Sequence, residues 1–407
     1  MTPSFLEFFA GGGMVRAGLQ SRGWRCVFAN DIDPKKGAVY SANWGHSELV
    51  VGDISKLSTQ NLPTADLAWA SFPCQDLSLA GNRKGLAGSR SGTFFDFFSH
   101  VLALKKDGRA PSLIALENVR GTITANQGAD FGAICRAFDD AGYIAGAVVV
   151  DGALFVPQSR PRVFFVGVRN DLPMPTHLVA ASPLPTFHPR TLRSAVASLS
   201  AKSRKNWRWW NLPVPPPRKQ TFTEIIEEEP TGGVEWHSSA ETARLISMMS
   251  PIHLAKLRAA QAQGQRVVGG VYKRTRPDGT GGKVQRAEVR FDDVAGCLRT
   301  PSGGSSRQTI ILVEGETVRS RLISPRETAR LMGLSDSYRL PVRYNDAYHV
   351  TGDGVVVPAI GFLAQNLFEP ILDTTLFPEH RQYPNTATQM VFPLAHEEQP
   401  SYSAALT

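Results

Sequence analysis

The chain has 407 residues, 42% of them hydrophobic, which is enough apolar material for two domains or for one large domain carrying an insertion. Its formal charge of +8 is unevenly placed: residues 186–343 carry 26 Lys and Arg against 14 Asp and Glu, so a basic, polyanion-binding segment is expected within a mildly acidic enzyme core. Cys26, Cys74, Cys135 and Cys297 form no C-x-x-C pair, and Glu7 and the following glycines interrupt the first apolar run. Together these give no indication of a disulfide framework, a thiolate zinc site or a signal peptide; no apolar stretch is expected to approach membrane-spanning length, and a cytoplasmic, reducing setting without membrane contact is expected.

From Pro3 to about Arg169, short apolar runs alternate with helical segments, the pattern of an α/β sheet built from βαβ units. Strands are predicted at Ser4–Phe9, Cys26–Asn30, Leu67–Ser71, Leu113–Leu116, Tyr143–Val150 and Val163–Val168, and helices at Met14–Ser21, Pro34–Asn43, Phe94–Leu104 and Phe131–Ala141. The texture then turns proline-rich and irregular. Up to about Arg343 it is rich in Gly and Arg, with one helix predicted over Ser239–Gln263 and another over Ser324–Leu334, the latter opened by a serine cap and Pro325. The apolar run Val355–Leu367 rejoins the first domain, and the tail beyond Phe377 is expected to be partly disordered. The divisions expected are therefore 1–185, 186–343 and 344–407, the last a return segment to the first. Trp207, Trp209 and Trp210 are expected in the core of the smaller domain rather than stacked on bases.

Phe9-Ala10-Gly11-Gly12-Gly13 follows a strand and opens a helix, so the backbone there can turn tightly and approach a ligand. A dinucleotide fingerprint would need a further glycine where Arg16 stands, which disfavours NAD. Asp31, followed by Ile32, ends the next strand where a carboxylate can take both hydroxyls of a ribose, and Asp53 with Ile54 offers an acid for an adenine amino group beside an apolar wall. Another strand end carries Ser71-Phe72-Pro73-Cys74-Gln75. Ala115-Leu116-Glu117-Asn118-Val119 places a carboxyl at a third, and Gln158-Ser159-Arg160-Pro161-Arg162 adds two guanidinium groups.

In this order the pieces resemble the motifs of the DNA cytosine-5 methyltransferases. Phe9 to Gly13 is similar to the family's cofactor loop, Pro73-Cys74-Gln75 to its nucleophile motif, Glu117-Asn118-Val119 to its acid motif and Gln158 to Arg162 to its arginine motif. Arg321 to Gly333 resembles the segment after the recognition region, and Gly352 to Val357 the closing motif. The resemblance implies a Rossmann-like α/β methyltransferase domain with a mixed, mostly parallel sheet and a smaller, irregular recognition domain, with catalysis and cofactor binding in 1–185 and target recognition in 186–343. It also implies S-adenosyl-L-methionine as cofactor, bound by Phe9, Gly11, Gly13, Asp31, Ile32, Asp53, Ile54 and Pro73. Catalysis would fall to Cys74, Glu117, Arg162, Arg160 and Asn118. Cys74 attacks carbon 6 of a flipped-out cytosine, protonated Glu117 donates to ring nitrogen 3, Arg162 holds the carbonyl oxygen, and Asn118 braces the loop of Cys74.

Gln75, Ser78, Arg83 and Arg90 of the glycine-punctuated loop, and Arg299, Thr300, Gly303 and Gly304 further on, are the expected DNA contacts. The expected partners are double-stranded DNA and a cognate restriction endonuclease acting on the same site, with the chain itself a monomer and no metal required. One departure stands out: Asp353 occupies a place where the family usually has asparagine, so weaker contacts to the cofactor or the nucleophile loop are expected there. The rival readings are a tRNA cytosine-5 methyltransferase, a catalytically silent nucleic-acid-binding regulator and, more remotely, a NAD-dependent oxidoreductase.

Overall fold

The computed structural model describes residues 2–73, 92–277, 282–299 and 307–376, with side chains to 373. Its first half runs β1 (Ser4–Phe8), α1 (Met14–Gln20), β2 (Arg25–Asp31), α2 (Pro34–Trp44), β3 (Leu49–Val51), β4 (Leu67–Ala70), α3 (Thr93–Lys106), β5 (Leu113–Val119), α4 (Ala129–Ala141), β6 (Tyr143–Asp151) and β7 (Pro161–Arg169). These strands form one sheet in the order β3-β2-β1-β4-β5-β7-β6, parallel except that β7 lies antiparallel to β5 and β6. Both faces are covered, which is why the strands read as continuous apolar runs. Alternation sends Phe5, Trp69, Ala115, Phe164 and Val166 to the face under α1 and α2, and Leu6, Phe8, Ala70, Leu116 and Phe165 to the face under α3 and α4.

The chain continues through α5 (Arg190–Ala197), α6 (Ala201–Asn206), α7 (Phe222–Ile225), α8 (Ser239–Ser247), α9 (Pro251–Ala262), β8 (Arg266–Pro277), β9 (Lys283–Arg290), β10 (Thr309–Glu314), β11 (Thr317–Leu322) and α10 (Pro325–Arg330). Strands β11-β10-β8-β9 make a separate antiparallel sheet. Along β10, Ile311 and Val313 pack with Leu245 of α8, Leu257 of α9 and Met249 between them, whereas Ile310 and Leu312 join the core of the larger sheet. The second sheet is thus rooted in the first by its own alternation.

Three sequence expectations change. The helix predicted over Ser239–Gln263 is two helices, because Ser250 serves as N-cap and Pro251 takes the first position of α9, where proline fits but an interior position would forfeit a hydrogen bond. The helix predicted over Ser324–Leu334 ends at Arg330, ahead of Gly333 with φ 77°; its start is closed by a reciprocal capping box between Ser324 and Glu327. The tryptophans expected in the smaller domain instead cover the large sheet. The Arg208 amide bonds the Ala145 carbonyl at 2.8 Å, so the segment shields the β6 edge, with Trp207 against Phe131 and Trp210 fully buried. A Cβ at Gly146 would lie 2.1 Å from the Arg208 carbonyl, so only glycine allows that approach.

The return segment comprises α11 (Tyr344–Asp353), α12 (Val357–Leu363) and α13 (Glu369–Leu376). Contrary to the expectation of no such stretch, Tyr344–Asp373 has the length and mean hydropathy, 1.6, of a membrane span, but 72% of its most apolar stretch is buried inside the fold. Ile360 and Gly18 pack so closely that a Cβ at Gly18 would sit 2.6 Å from that isoleucine, and Phe368 packs edge-on to Trp24 and Trp69. Core packing against α1 accounts for its hydrophobicity. The tail beyond Phe377 lies outside the described residues.

Candidate active site

The strand order reverses between β1 and β4, and in open α/β sheets ligands bind beyond the carboxyl ends of strands at such a point. Neighbouring strands lie about 5 Å apart, so the end of β4 has the glycine turn after β1 on one side and the end of β5 on the other. Ser71-Phe72-Pro73 leaves β4 there. Cys74, together with Gln75, Ser78, Arg83 and Arg90, follows outside the described residues, as do Thr300, Gly303 and Gly304.

On the β5 side, antiparallel β7 brings its first residues to the same edge. Val119 pairs with Arg162 and Glu117 with Phe164, which makes Glu117 and Arg162 diagonal neighbours on one face. The Arg162 Nε lies 3.0 Å from Glu117 Oε1, with the two side chains 14% and 9% exposed. Burial holds the Glu117 carboxyl above the usual carboxylate range, opposed by Arg162, Arg160 and the Ser71 hydroxyl. Asn118 Nδ2 donates to the Phe72 carbonyl at 3.3 Å, while its Oδ1 accepts from the Val119 amide and the Thr122 hydroxyl. That amide therefore ties β5 to the backbone two residues before Cys74.

Arg160, 2% exposed, is turned into the protein. Its Nη2 donates to the carbonyls of Gly352 and Gly354 at 2.7 and 2.6 Å, and its Nη1 donates to the Leu298 carbonyl at 3.0 Å and contacts Cys297 Sγ at 3.5 Å. Gln158, fully buried, donates to the Leu331 carbonyl and accepts from the Leu298 amide. Sequence reasoning missed Cys297, whose thiol the neighbouring guanidinium groups pull below the ordinary range against the opposing effect of burial. It also missed Tyr338, whose hydroxyl donates to the Gly12 carbonyl at 2.7 Å across 326 positions of chain. No local signal marks either residue. Arg299 is exposed at the end of its described segment.

On the β1 side, Phe9 adopts φ 59° and Gly11 and Gly13 φ 56° and 78°. A non-glycine residue in the left-handed region costs about 1–2 kcal/mol, a strain that tends to collect at ligand-binding turns. A Cβ at Gly13 would meet Trp44 Nε1 at 2.3 Å, whereas at Gly11 it would meet nothing, so the space beside the turn is open. Asp31, at the end of β2, accepts from the Gly11 and Asp33 amides at 2.7 and 2.8 Å, one per oxygen. A carboxylate has about four acceptor positions, so the held group can still receive a diol. Ile32 is 66% exposed and offers the apolar wall; Ile54, expected in that role, is 3% exposed and belongs to the core. Asp53 accepts from the Ser55 amide and hydroxyl, and these bonds lower its pKa. A held diol acceptor, an open glycine turn and an exposed apolar face suit an adenosyl cofactor. Among the described residues no group of three or more His, Cys, Asp or Glu could hold a metal ion.

Residues 3–369 match the family model of the C-5 cytosine-specific DNA methylases. The chain belongs to that family. It is a DNA cytosine-5 methyltransferase, and its cofactor is S-adenosylmethionine. It is 26% identical to the type II methyltransferase M.HhaI of Haemophilus parahaemolyticus over 89% of this chain and 93% of that protein. It is 28% identical to M.HpaII of Haemophilus parainfluenzae over 90% of each. Among solved structures, the Dnmt2 methyltransferase of S. pombe matches 91% of this chain and 99% of its own, with a TM-score of 0.55 at 17% identity, and shows the shared fold.

Proposed function

We propose that this DNA methyltransferase works through a covalent Cys74 adduct on a cytosine extruded from duplex DNA, with Glu117 as the acid on ring nitrogen 3. The observation that carries the reading is the junction of β4 and β5: a buried carboxyl paired to Arg162, next to an asparagine bonded to the backbone that leads into Cys74. Addition of sulfur to carbon 6 puts negative charge on the ring. A carboxyl whose pKa burial raises is more readily protonated, and in that form it can donate to nitrogen 3 and disperse that charge. Arg162 lies where it can hold the carbonyl oxygen, and Ser71 supports the acid. Once bound, the cofactor supplies an electrophilic methyl group to carbon 5; Asp31, Ile32, Gly11, Gly13 and Phe9 would hold it, with Asp53 and Pro73 bordering the cleft. Loss of the carbon 5 proton then lets Cys74 leave.

Arg160 and Asn118 are positioning residues in this scheme. Arg160 bolts the closing motif to the pocket, and Asn118 sets the approach to Cys74. The basic middle segment would read the duplex, with Arg299 and the residues after it at the target phosphate, most of its cations meeting phosphate rather than bases. Within the division 1–185, 186–343 and 344–407, packing favours moving the first boundary beyond Leu212, because Trp210 and Leu212 bury with the large sheet. The curated relatives carry type II names, which supports a restriction-modification role with a cognate endonuclease; the enzyme would act as a monomer.

The test is trapping on a duplex containing 5-fluorocytosine with the methyl donor present. Wild type should form a denaturant-stable complex, and Cys74→Ala should lose both complex and turnover while still binding the duplex. A trapped complex with Cys74→Ala, or preferred methylation of tRNA in a parallel assay, would overturn the reading.

A further inference from the structure

Glu7 is buried completely, and neither of its carboxyl oxygens has a hydrogen-bond partner among the described residues. Alternation along β1 turns it to the face of Phe5, under α1 and α2, and two residues later the chain reaches strained Phe9 and the glycine turn. The charged and titratable groups facing it are Arg16 of α1, Cys26 and Asp31 of β2, Tyr40 of α2 and Tyr338. From β4 its register partner is the neutral Trp69. Arg16 directs its Nη1 to the Tyr40 hydroxyl at 3.1 Å and to Glu48 at 3.2 Å, and Tyr338 donates to Gly12, so neither side chain bonds the acid; only the backbone amide of Arg16 faces it and draws its pKa down, without the geometry of a full hydrogen bond. Burial pushes its pKa up to about 8. Leaving a polar group unpaired in a core costs about 1–3 kcal/mol, and an apolar residue would avoid that cost. The carboxyl is therefore unexplained by packing.

We propose that Glu7 matches charge beneath the cofactor cleft: it keeps its proton while the cleft is empty and releases it when a sulfonium-bearing methyl donor binds, so that the charged donor is held more tightly than the neutral-sulfur product. The inference rests on the reading that the cofactor lies at Phe9–Gly13. In a low-dielectric interior, a positive sulfur at the turn favours ionisation of a nearby acid, and the ionised acid favours the positive ligand in return. After transfer the sulfur is a thioether without charge, the attraction is gone, and Glu7 recovers a proton. One proton leaves on donor binding and one returns after transfer, so the group is unchanged over a cycle. An open pocket of about 490 Å³ is lined by Arg16, Trp24, Cys26 and Glu48, so two of the groups that face Glu7 border solvent.

The experiment is calorimetric titration of the full chain with S-adenosylmethionine and with S-adenosylhomocysteine, in pairs of buffers differing in ionisation enthalpy. Wild type should release a sizeable fraction of a proton to the donor and much less to the product. Donor affinity should rise with pH up to the free-enzyme value near 8, by at most about tenfold per pH unit. Glu7→Gln, nearly isosteric, should abolish the difference and narrow the donor-to-product affinity ratio, and Glu7→Asp should restore part of it. Equal proton release for the two ligands in wild type, a comparison that needs no variant, overturns the inference, as does unchanged release in Glu7→Gln. If wild type fails to bind the donor at all, it is the cofactor reading that fails.

Discussion

Replacing Glu117 with Gln keeps the shape of the side chain and an oxygen that can accept from Arg162 Nε, now 3.0 Å away, but removes the transferable proton. The loss of a positioned general acid is worth roughly 10²- to 10⁴-fold, or about 2.7–5.4 kcal/mol in the barrier. A second effect runs alongside. Whatever fraction of Glu117 is ionised gives Arg162 a counter-charge that the amide lacks, at a position 14% exposed, so stability falls by less than the roughly 3–5 kcal/mol of a fully buried broken pair. The two effects separate in a single-turnover assay of radiolabelled methyl transfer to duplex DNA, run well below the unfolding temperature of both proteins. The pH profile sharpens the test. Burial raises the pKa of the wild-type carboxyl above the ordinary carboxylate range, so the rate should fall as pH rises through that raised value, and Glu117→Gln should lack this alkaline limb. Arg162→Ala removes the largest of the forces drawing the pKa down and should move the limb to higher pH. A Glu117→Gln enzyme with the wild-type rate, or with the wild-type limb intact, would refute the assignment of the acid.

Asn118→Ala deletes the bond to the Phe72 carbonyl, worth about 1 kcal/mol of stability, and should slow turnover while leaving donor affinity within about twofold, as measured by calorimetry and rapid-quench kinetics. Asp353 is bonded to Lys36 Nζ at 2.8 Å in a half-exposed pair, so Asp353→Asn should cost no more than about 1 kcal/mol in thermal unfolding and should retain or raise activity; a large loss would show that the closing motif is misaligned. Trp210→Ala, at a fully buried site over the large sheet, should destabilise by about 3–5 kcal/mol in denaturant unfolding, with no change in the bases methylated by the molecules that remain folded.

Much of the large sheet is legible in the sequence because its strands are buried on both faces and its helices on one. The six predicted strands and four predicted helices of residues 3–169 all fall on observed elements, with ends shifted by a few residues, as the extension of Leu113–Leu116 to Val119 illustrates. Strand β3 escaped notice because three residues at an edge, Leu49–Val51, carry no period. The break between α8 and α9 was written in the sequence as Ser250-Pro251, yet the apolar spacing on either side keeps the same phase and hides it. Trp207 and Trp210 misled for a different reason: an aromatic cluster announces burial but not against what, and the face they cover is decided by the exposed edge of β6, some 60 positions away.

The site divides along the same line. Residues at strand ends could be named from sequence because each ends its own strand, and adjacency follows once the order β1-β4-β5-β7 is known. That order is not local information. It is what makes Glu117 and Arg162, separated by 45 positions, diagonal neighbours, and it requires β7 to run antiparallel so that its beginning, rather than its end, meets the β5 carboxyl terminus. A parallel β7 would have carried Arg162 to the opposite edge of the sheet and left Glu117 buried with no cation beside it. Sequence offered Arg160 and Arg162 as a pair in which only the family resemblance singled out Arg162 for the carbonyl oxygen. Residues two apart in an extended chain share a face, so the structural basis of their different roles lies in what stands opposite: the carbonyls of Gly352 and Gly354 for one, the Glu117 carboxyl for the other. Those carbonyls exist at that place only because the return segment packs beneath β1, β4 and β7, which ties the orientation of an active-site arginine to the most hydrophobic helices of the chain.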